Sequence, residues 1–181
     1  MTNIYRGRWD AMANPKSEKQ YGVLAADPIE IGDLCWFDKR TQTVKAFSHA
    51  DAWTGTTDGS QGKVAENFVG VARSAHVAND STLTTVQVEA RGVYEFVLTT
   101  AALLEVGDLV TASKNPSFSL LFAQQVDKGA LGAADEPTSR AREIAIGKVA
   151  VRYQAATTSK ALIEILGTRE AGGGPRQFLL S

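Results

Sequence analysis

Two stretches of this chain say nearly the same thing. "IEIGDLCWFD" runs from Ile29 to Asp38, and "LEVGDLVTAS" runs from Leu104 to Ser113. Aligning them sets Gly32 over Gly107, 75 positions apart. If a whole unit is duplicated, later features must recur at nearly the same spacing, and they do. "FVGVA" holds Gly70 and "AIGKVA" holds Gly147, 77 apart; Val86 and Val88 of "TVQVE" match Ile163 and Ile165 of "ALIEI", again 77 apart. Three features in order at a near-constant offset mark an internal repeat. In each copy the glycine suits a backbone with positive φ, and the following aspartate can bond its own backbone nearby. Gly32, Asp33, Gly107 and Asp108 are therefore read as structural turns, each opening one half of the fold.

Between these turns the hydrophobic period is two. In "TTVQVEARG" Val86, Val88 and Ala90 face one way and Gln87, Glu89 and Arg91 the other; in "GVYEFVL" Tyr94, Phe96 and Leu98 share a face. This is the pattern of half-buried strands. Further short apolar runs fall at 34–37, 44–47, 68–72, 109–112, 118–122, 144–153 and 161–166, separated by Gly, Asp, Asn, Pro or Ser. The expected fold class is all-β: a small barrel or sandwich with internal pseudo-duplication. One short helix is expected at Thr99–Val106, "TTAALLEV", capped by a threonine and about two turns long. The stretches 48–67 and 124–143 read as loops too long for hairpin turns.

The β domain is expected over residues 21–167, with halves at about 21–91 and 92–167. Residues 1–20 read as a polar N-terminal arm, and 168–181 as a flexible tail. At 181 residues this is one domain or two small fused halves, long enough to bury a core. Within the arm, Arg6, Arg8 and Trp9 are candidate partner contacts, because Trp and Arg are enriched at interface hot spots. The plainer reading is a solvated arm with one aromatic folded onto the domain. The tail "EAGGGPRQFLLS" places three glycines and a proline before Phe178, Leu179 and Leu180. Such an end either frays or docks its apolar tip on a neighbouring subunit.

Several chemistries are tested by the residue spacing. "TTDGSQGKV" keeps Gly62-Lys63 of a phosphate-binding loop but has Thr57 where the leading glycine belongs and Val64 where Ser or Thr would hold magnesium. Gly129 and Gly132 lack the third glycine and the βα setting of a dinucleotide fingerprint. His49 and Asp51 are the nearest pair of metal-ligating types; the other histidine is His76 and the lone cysteine is Cys35, so a zinc site would have to gather scattered ligands. His49 reads as a surface loop residue, and Cys35 as a small buried hydrophobe. A Cys–His or Ser–His pair meets in space and leaves no spacing to read. No catalytic site is visible, and no metal or cofactor is expected.

A net charge of −1 gives no general drive towards nucleic acid, although Arg6 and Arg8 make a local basic spot. A single cysteine excludes an internal disulfide and fits a reducing cytosol. No stretch has the apolar length of a leader or of a bilayer crossing, so neither membrane nor secretion is expected, and Asn79-Asp80-Ser81 is a chance glycosylation match.

The succession "IEIGDLCWFD", "TVKAF", "FVGVARSA", "VQVEARGVYEF", "TTAALLEVGDLVTAS", "EIAIGKVAV" and "ALIEILG" resembles the head decoration, or cement, proteins of tailed bacteriophages. The resemblance spans roughly residues 22–167. It implies a non-enzymatic virion protein, made in the host cytoplasm, that binds the outside of an assembled capsid. Its partners would be the major capsid protein and itself, as a homotrimer at three-fold or quasi-three-fold positions bridging neighbouring capsid subunits. No catalytic residues carry over from such a family. Two other readings stay open: another virion component, such as a minor capsid or tail protein, and a small β-barrel enzyme or ligand-binding module using 48–67 as a lid, with His49, Asp51 and Lys63.

Overall fold

The computed structural model describes residues 4–5, 18–130, 138–151 and 157–167. The first half of the chain contributes β2 (Glu18–Gly22), β3 (Leu34–Asp38), β4 (Thr43–Ala46), α1 (Thr57–Glu66), β5 (Phe68–Ala72) and β6 (Thr85–Glu89). The second contributes β7 (Arg91–Ala102), β8 (Leu109–Asn115), β9 (Leu120–Lys128), α2 (Ser139–Ile144), β10 (Ala145–Val149) and β11 (Thr158–Leu166). A short β1 (Ile4–Tyr5) pairs antiparallel with β7. The strands of the first sheet run β2-β6-β5-β3-β4, and those of the second β7-β11-β10-β8-β9. These are the same order with matching members, so the sequence repeat is a repeat of topology, each unit carrying one helix between its third and fourth strands.

The units differ in closure. In the second, β9 returns to β7 through the parallel pairs Val97↔Gln125 and Leu98↔Val126, making a closed five-stranded barrel. The first remains a sheet with two edges, β2 and β4. Length supplies the reason: β7 has 12 residues and β9 has 9, against 5 for β2 and 4 for β4. Closing a barrel requires tilted, staggered edge strands long enough to overlap and pair, which short edges do not supply.

Strand β3 reads "LCWFD" without alternation because both of its faces are buried. Cys35 and Phe37 pack with Val44, Val69, Val86 and Val88 inside the first unit. Leu34 and Trp36 face the other way and join Phe47, Phe68 and α1 residues Val64 and Ala65 in a cluster continuous with the barrel interior, which holds Phe96, Val110, Ile146 and Ile163. Fully burying each Val, Leu, Ile or Phe side chain among these contributes about 1.5–3 kcal/mol.

Several expectations from the sequence need correction. Thr99–Val106 is not helical. β7 runs on to Ala102, and Leu104 drops into the core at 0% exposure as part of the turn that follows. An isolated two-turn helix is marginal, whereas Val97 and Leu98 gain the pairing that closes the barrel and Ala102 pairs with Thr158. The 48–67 stretch is not an open loop: it holds a 3-10 turn at Ala50–Ala52 and then α1. Thr56 caps α1 by accepting from the Gly59 N–H. Gly59 and Gly62 disguised this helix, and both stand under close neighbours. A Cβ on Gly59 would lie 2.5 Å from Thr54 Oγ1, and one on Gly62 3.0 Å from an Arg140 guanidinium nitrogen. The 124–143 stretch begins as β9 and ends as α2, and Ile144, read as a strand residue, closes that helix. The arm boundary shifts as well, because Glu18, Lys19 and Gln20 already belong to β2.

Candidate functional site

The paired turns are superposable in their hydrogen bonds. Asp33 Oδ2 accepts from the Glu30 N–H at 2.8 Å, and Asp108 Oδ2 from the Glu105 N–H at 2.7 Å. Gly32 and Gly107 have φ of 94° and 90°, a region that favours glycine. Each glycine N–H then reaches across to its unit's fourth strand, to Ala72 O and to Val149 O, both at 2.9 Å. The turns are structural, as their residue types imply. They also display something that the turn chemistry does not require. The residue before each glycine, Ile31 or Val106, is 48% or 59% exposed. An aliphatic side chain at a solvated turn tip gives the monomer nothing to bury, and both copies have one. Leu103, three residues earlier than Val106, is 48% exposed as well.

The second feature is an ionic cluster over the outer face of β4. Lys45 alternates with the inward Val44 and Ala46, so its side chain leaves the first core on the opposite face. Its Nζ lies 2.5 Å from Asp51 Oδ2, 3.3 Å from Asp38 Oδ2 and 3.8 Å from Asp27 Oδ2, with the side chain only 3% exposed. Arg40 adds contacts to Asp38 at 3.4 Å and Asp51 at 3.2 Å. Burial works to raise the Asp38 pKa, but the Arg40 backbone N–H, the Arg40 guanidinium and the Lys45 ammonium outweigh it and hold it at about 2. The Lys45 hydrogen bond, against burial, likewise keeps Asp51 below the usual carboxylate range. For Lys45, burial opposes the charge, and the surrounding aspartates nevertheless push its pKa up.

Both histidines of the chain meet Asp27. His49 is the N-cap of the 3-10 turn, its Nδ1 accepting from the Asp51 N–H at 3.0 Å. That bond places the ring proton on Nε2, which donates to Asp27 Oδ1 at 3.1 Å. His76 is buried, with Nδ1 2.8 Å from Asp27 O and Nε2 3.0 Å from Asp80 O. His49 is thus a cap and strut rather than a free loop residue, and His76 clamps two loops together. Lys63, the third residue of the lid reading, donates to the Asp51 carbonyl and sits over the Trp36 ring at 5.0 Å. Nothing in their spacing signals these meetings, because 22 residues separate Asp27 from His49 and 49 separate it from His76.

Among the described residues, no three His, Cys, Asp or Glu side chains converge on a metal position, and no helix is long and apolar enough to cross a membrane. Cys35 is fully buried; burial first, and then the Asp33 charge, push its thiol pKa well up. The candidate contacts Arg6, Arg8, Trp9, Phe178, Leu179 and Leu180 lie outside the described residues. No protein family, curated protein or solved structure matches the chain.

Between the two units runs a groove of about 340 Å³, bordered by Pro28, Glu30, Asp33 and Ser48 on one side and by Val97 and Phe122–Gln125 on the other. It is bridged by Gln124, whose Nε2 donates to Asp33 Oδ1 at 2.9 Å.

Proposed function

We propose that this protein is a decoration protein of a tailed-bacteriophage head, binding the outer face of the assembled shell as a homotrimer and bridging neighbouring major capsid subunits. The observation that carries the reading is the matched pair of exposed aliphatic turn tips, Ile31 and Val106, on a duplicated β unit. They are contact residues in search of a surface, repeated with the unit, while the Lys45 cluster and the turn aspartates hold the fold. The run of motifs from "IEIGDLCWFD" to "ALIEILG" supports the same reading by its resemblance to cement proteins. Weak contacts repeated around a closed oligomer and over a shell add up through multivalency.

The test is to mix the purified chain with expanded heads of the matching phage lacking their own copy, then pellet and image them. The expected result is stoichiometric, saturable decoration at three-fold positions, with a trimer in sedimentation equilibrium. A strictly monomeric chain that stays in the supernatant would overturn the reading.

A further inference from the structure

The two units treat their matched turn carboxylates differently. In the second, Asp108 Oδ2 lies 2.8 Å from Lys128 Nζ. Lys128 is placed there by the ladder, opposite Val110, three residues after Gly107. In the first unit the residue opposite Cys35, three after Gly32, is Ala46. The first unit therefore has an alanine at the ladder position where the second has a lysine. Asp33 makes do with two neutral donors, the Glu30 N–H at 2.8 Å and Gln124 Nε2 at 2.9 Å. It is 5% exposed, and burial, only partly offset by those donors, pushes its carboxyl above the usual range.

Asp33 does not stand alone. Glu30 lines the same groove, and its carboxylate meets no cation among the described residues. No lysine, arginine or histidine is among the described residues bordering the groove. Gln124, which holds Asp33 through its nitrogen, has its Oε1 buried with no donor among the described residues. The groove thus combines two carboxylates with the apolar walls of Pro28, Val97 and Phe122, and the unpartnered Gln124 Oε1 is buried on the side chain that holds Asp33. A charged head on a long aliphatic stem matches both parts, the stem against the walls and the head against the oxygens.

We propose that this groove receives a lysine or arginine side chain presented by the capsid surface, its cationic head lying against Glu30 and Asp33 as Lys128 lies against Asp108. Naming the capsid as its source rests on the function proposed above; the groove's preference for a cationic stem does not, and the two are tested separately.

For the groove, the full chain is titrated with Nα-acetyl-lysine methylamide while the backbone and Gln side-chain amides are followed by NMR. Saturable shifts are expected at Glu30, Ser48 and the Gln124 side chain. They should weaken about tenfold in Glu30→Gln, the scale of removing one charge-assisted hydrogen bond, and disappear in Glu30→Lys. Nα-acetyl-norleucine methylamide, with a comparable stem and no charge, should shift none of them. Absence of saturable shifts, equal shifts from the neutral analogue, or an unchanged titration in Glu30→Gln would overturn the site. Glu30 is exposed, and an unchanged thermal melt confirms that each variant folds. For the source, Glu30→Lys should lose shell binding. Undiminished shell binding by Glu30→Lys, or spermidine out-competing the lysine probe about tenfold, would overturn the capsid assignment and make the ligand a free polyamine. Failure of the native chain to bind shells would sink the decoration reading while leaving the titration to decide the groove.

Discussion

Replacing Lys45 by methionine removes one buried charge and little volume. In the native fold Lys45 Nζ serves Asp51, Asp38 and Asp27 at 2.5, 3.3 and 3.8 Å. Without it, Asp27 and Asp38 stay 5% and 2% exposed, and the only described lysine or arginine left beside the group is Arg40, 69% exposed on its side chain. Stranding a buried carboxylate costs about 3–5 kcal/mol, and an exposed arginine returns at most about 1 kcal/mol. A loss of about 3 kcal/mol at pH 7 follows, a large share of the roughly 5–15 kcal/mol that holds a domain together. The pH dependence has a definite sign. Asp38 titrates at about 2 in the fold against 3.8 ordinarily, so its stabilisation is present above pH about 4 and drains away as pH falls towards 2. That share amounts to about 2 kcal/mol in the native protein. In Lys45→Met the carboxylates lose their ammonium and take up protons at higher pH, which relieves the repulsion. The gap between native and variant should therefore narrow from pH 7 to pH 3. Urea unfolding at both pH values measures it. A loss under about 1 kcal/mol at pH 7, or an equal loss at both, refutes the reasoning. Adding Asp38→Asn should recover part of the loss if charge rather than packing is responsible.

Gly70→Ala should cost more than about 3 kcal/mol or prevent folding, because its Cβ would lie 2.1 Å from Glu89 O at a φ of 137°. Gly107→Ala, at a φ of 90° with open space around it, should cost only about 1–2 kcal/mol; equal melting shifts would show that the close approach does not matter. Cys35 should resist a thiol-exchange reagent in the native protein and react fully in urea, since it is buried and its thiol pKa is raised; fast native labelling would contradict its place in the core. Ile31→Ser with Val106→Ser should leave the melting temperature within a few degrees while reducing shell binding or trimer formation, and unchanged assembly would remove the turn tips from any interface. Deleting residues 172–181 should weaken shell binding with a cooperative melt retained. Deleting residues 1–20 should also lower stability, because it takes Glu18, Lys19 and Gln20 out of the ladder with β6.

Local chemistry carried far in this chain. A glycine able to hold positive φ and an aspartate able to bond a backbone N–H three residues back make the same turn wherever the pair occurs, so Gly32-Asp33 and Gly107-Asp108 could be read directly. Period-two burial was equally legible at Val86 and Val88 or at Tyr94, Phe96 and Leu98, because alternation needs only one buried face. What the sequence by itself determined is therefore the repeating unit: turn, strand, strand, strand, strand, twice over. Everything that depends on what one segment meets far along the chain was decided by the tertiary structure. Residues 99–102 extend as strand because β9 and β11 offer β7 its partners, overriding a helical composition. Gly59 and Gly62 sit in a helix closely covered by Thr54 and Arg140, neighbours that come from elsewhere in the chain. Lys45, Asp27, His49 and His76 come together only once both loops have folded across β4. The difference between Asp33 and Asp108 has the same origin. Identical turn words specify identical turns, but whether a lysine faces the carboxylate depends on the partner strand, and that strand places Ala46 in one unit and Lys128 in the other.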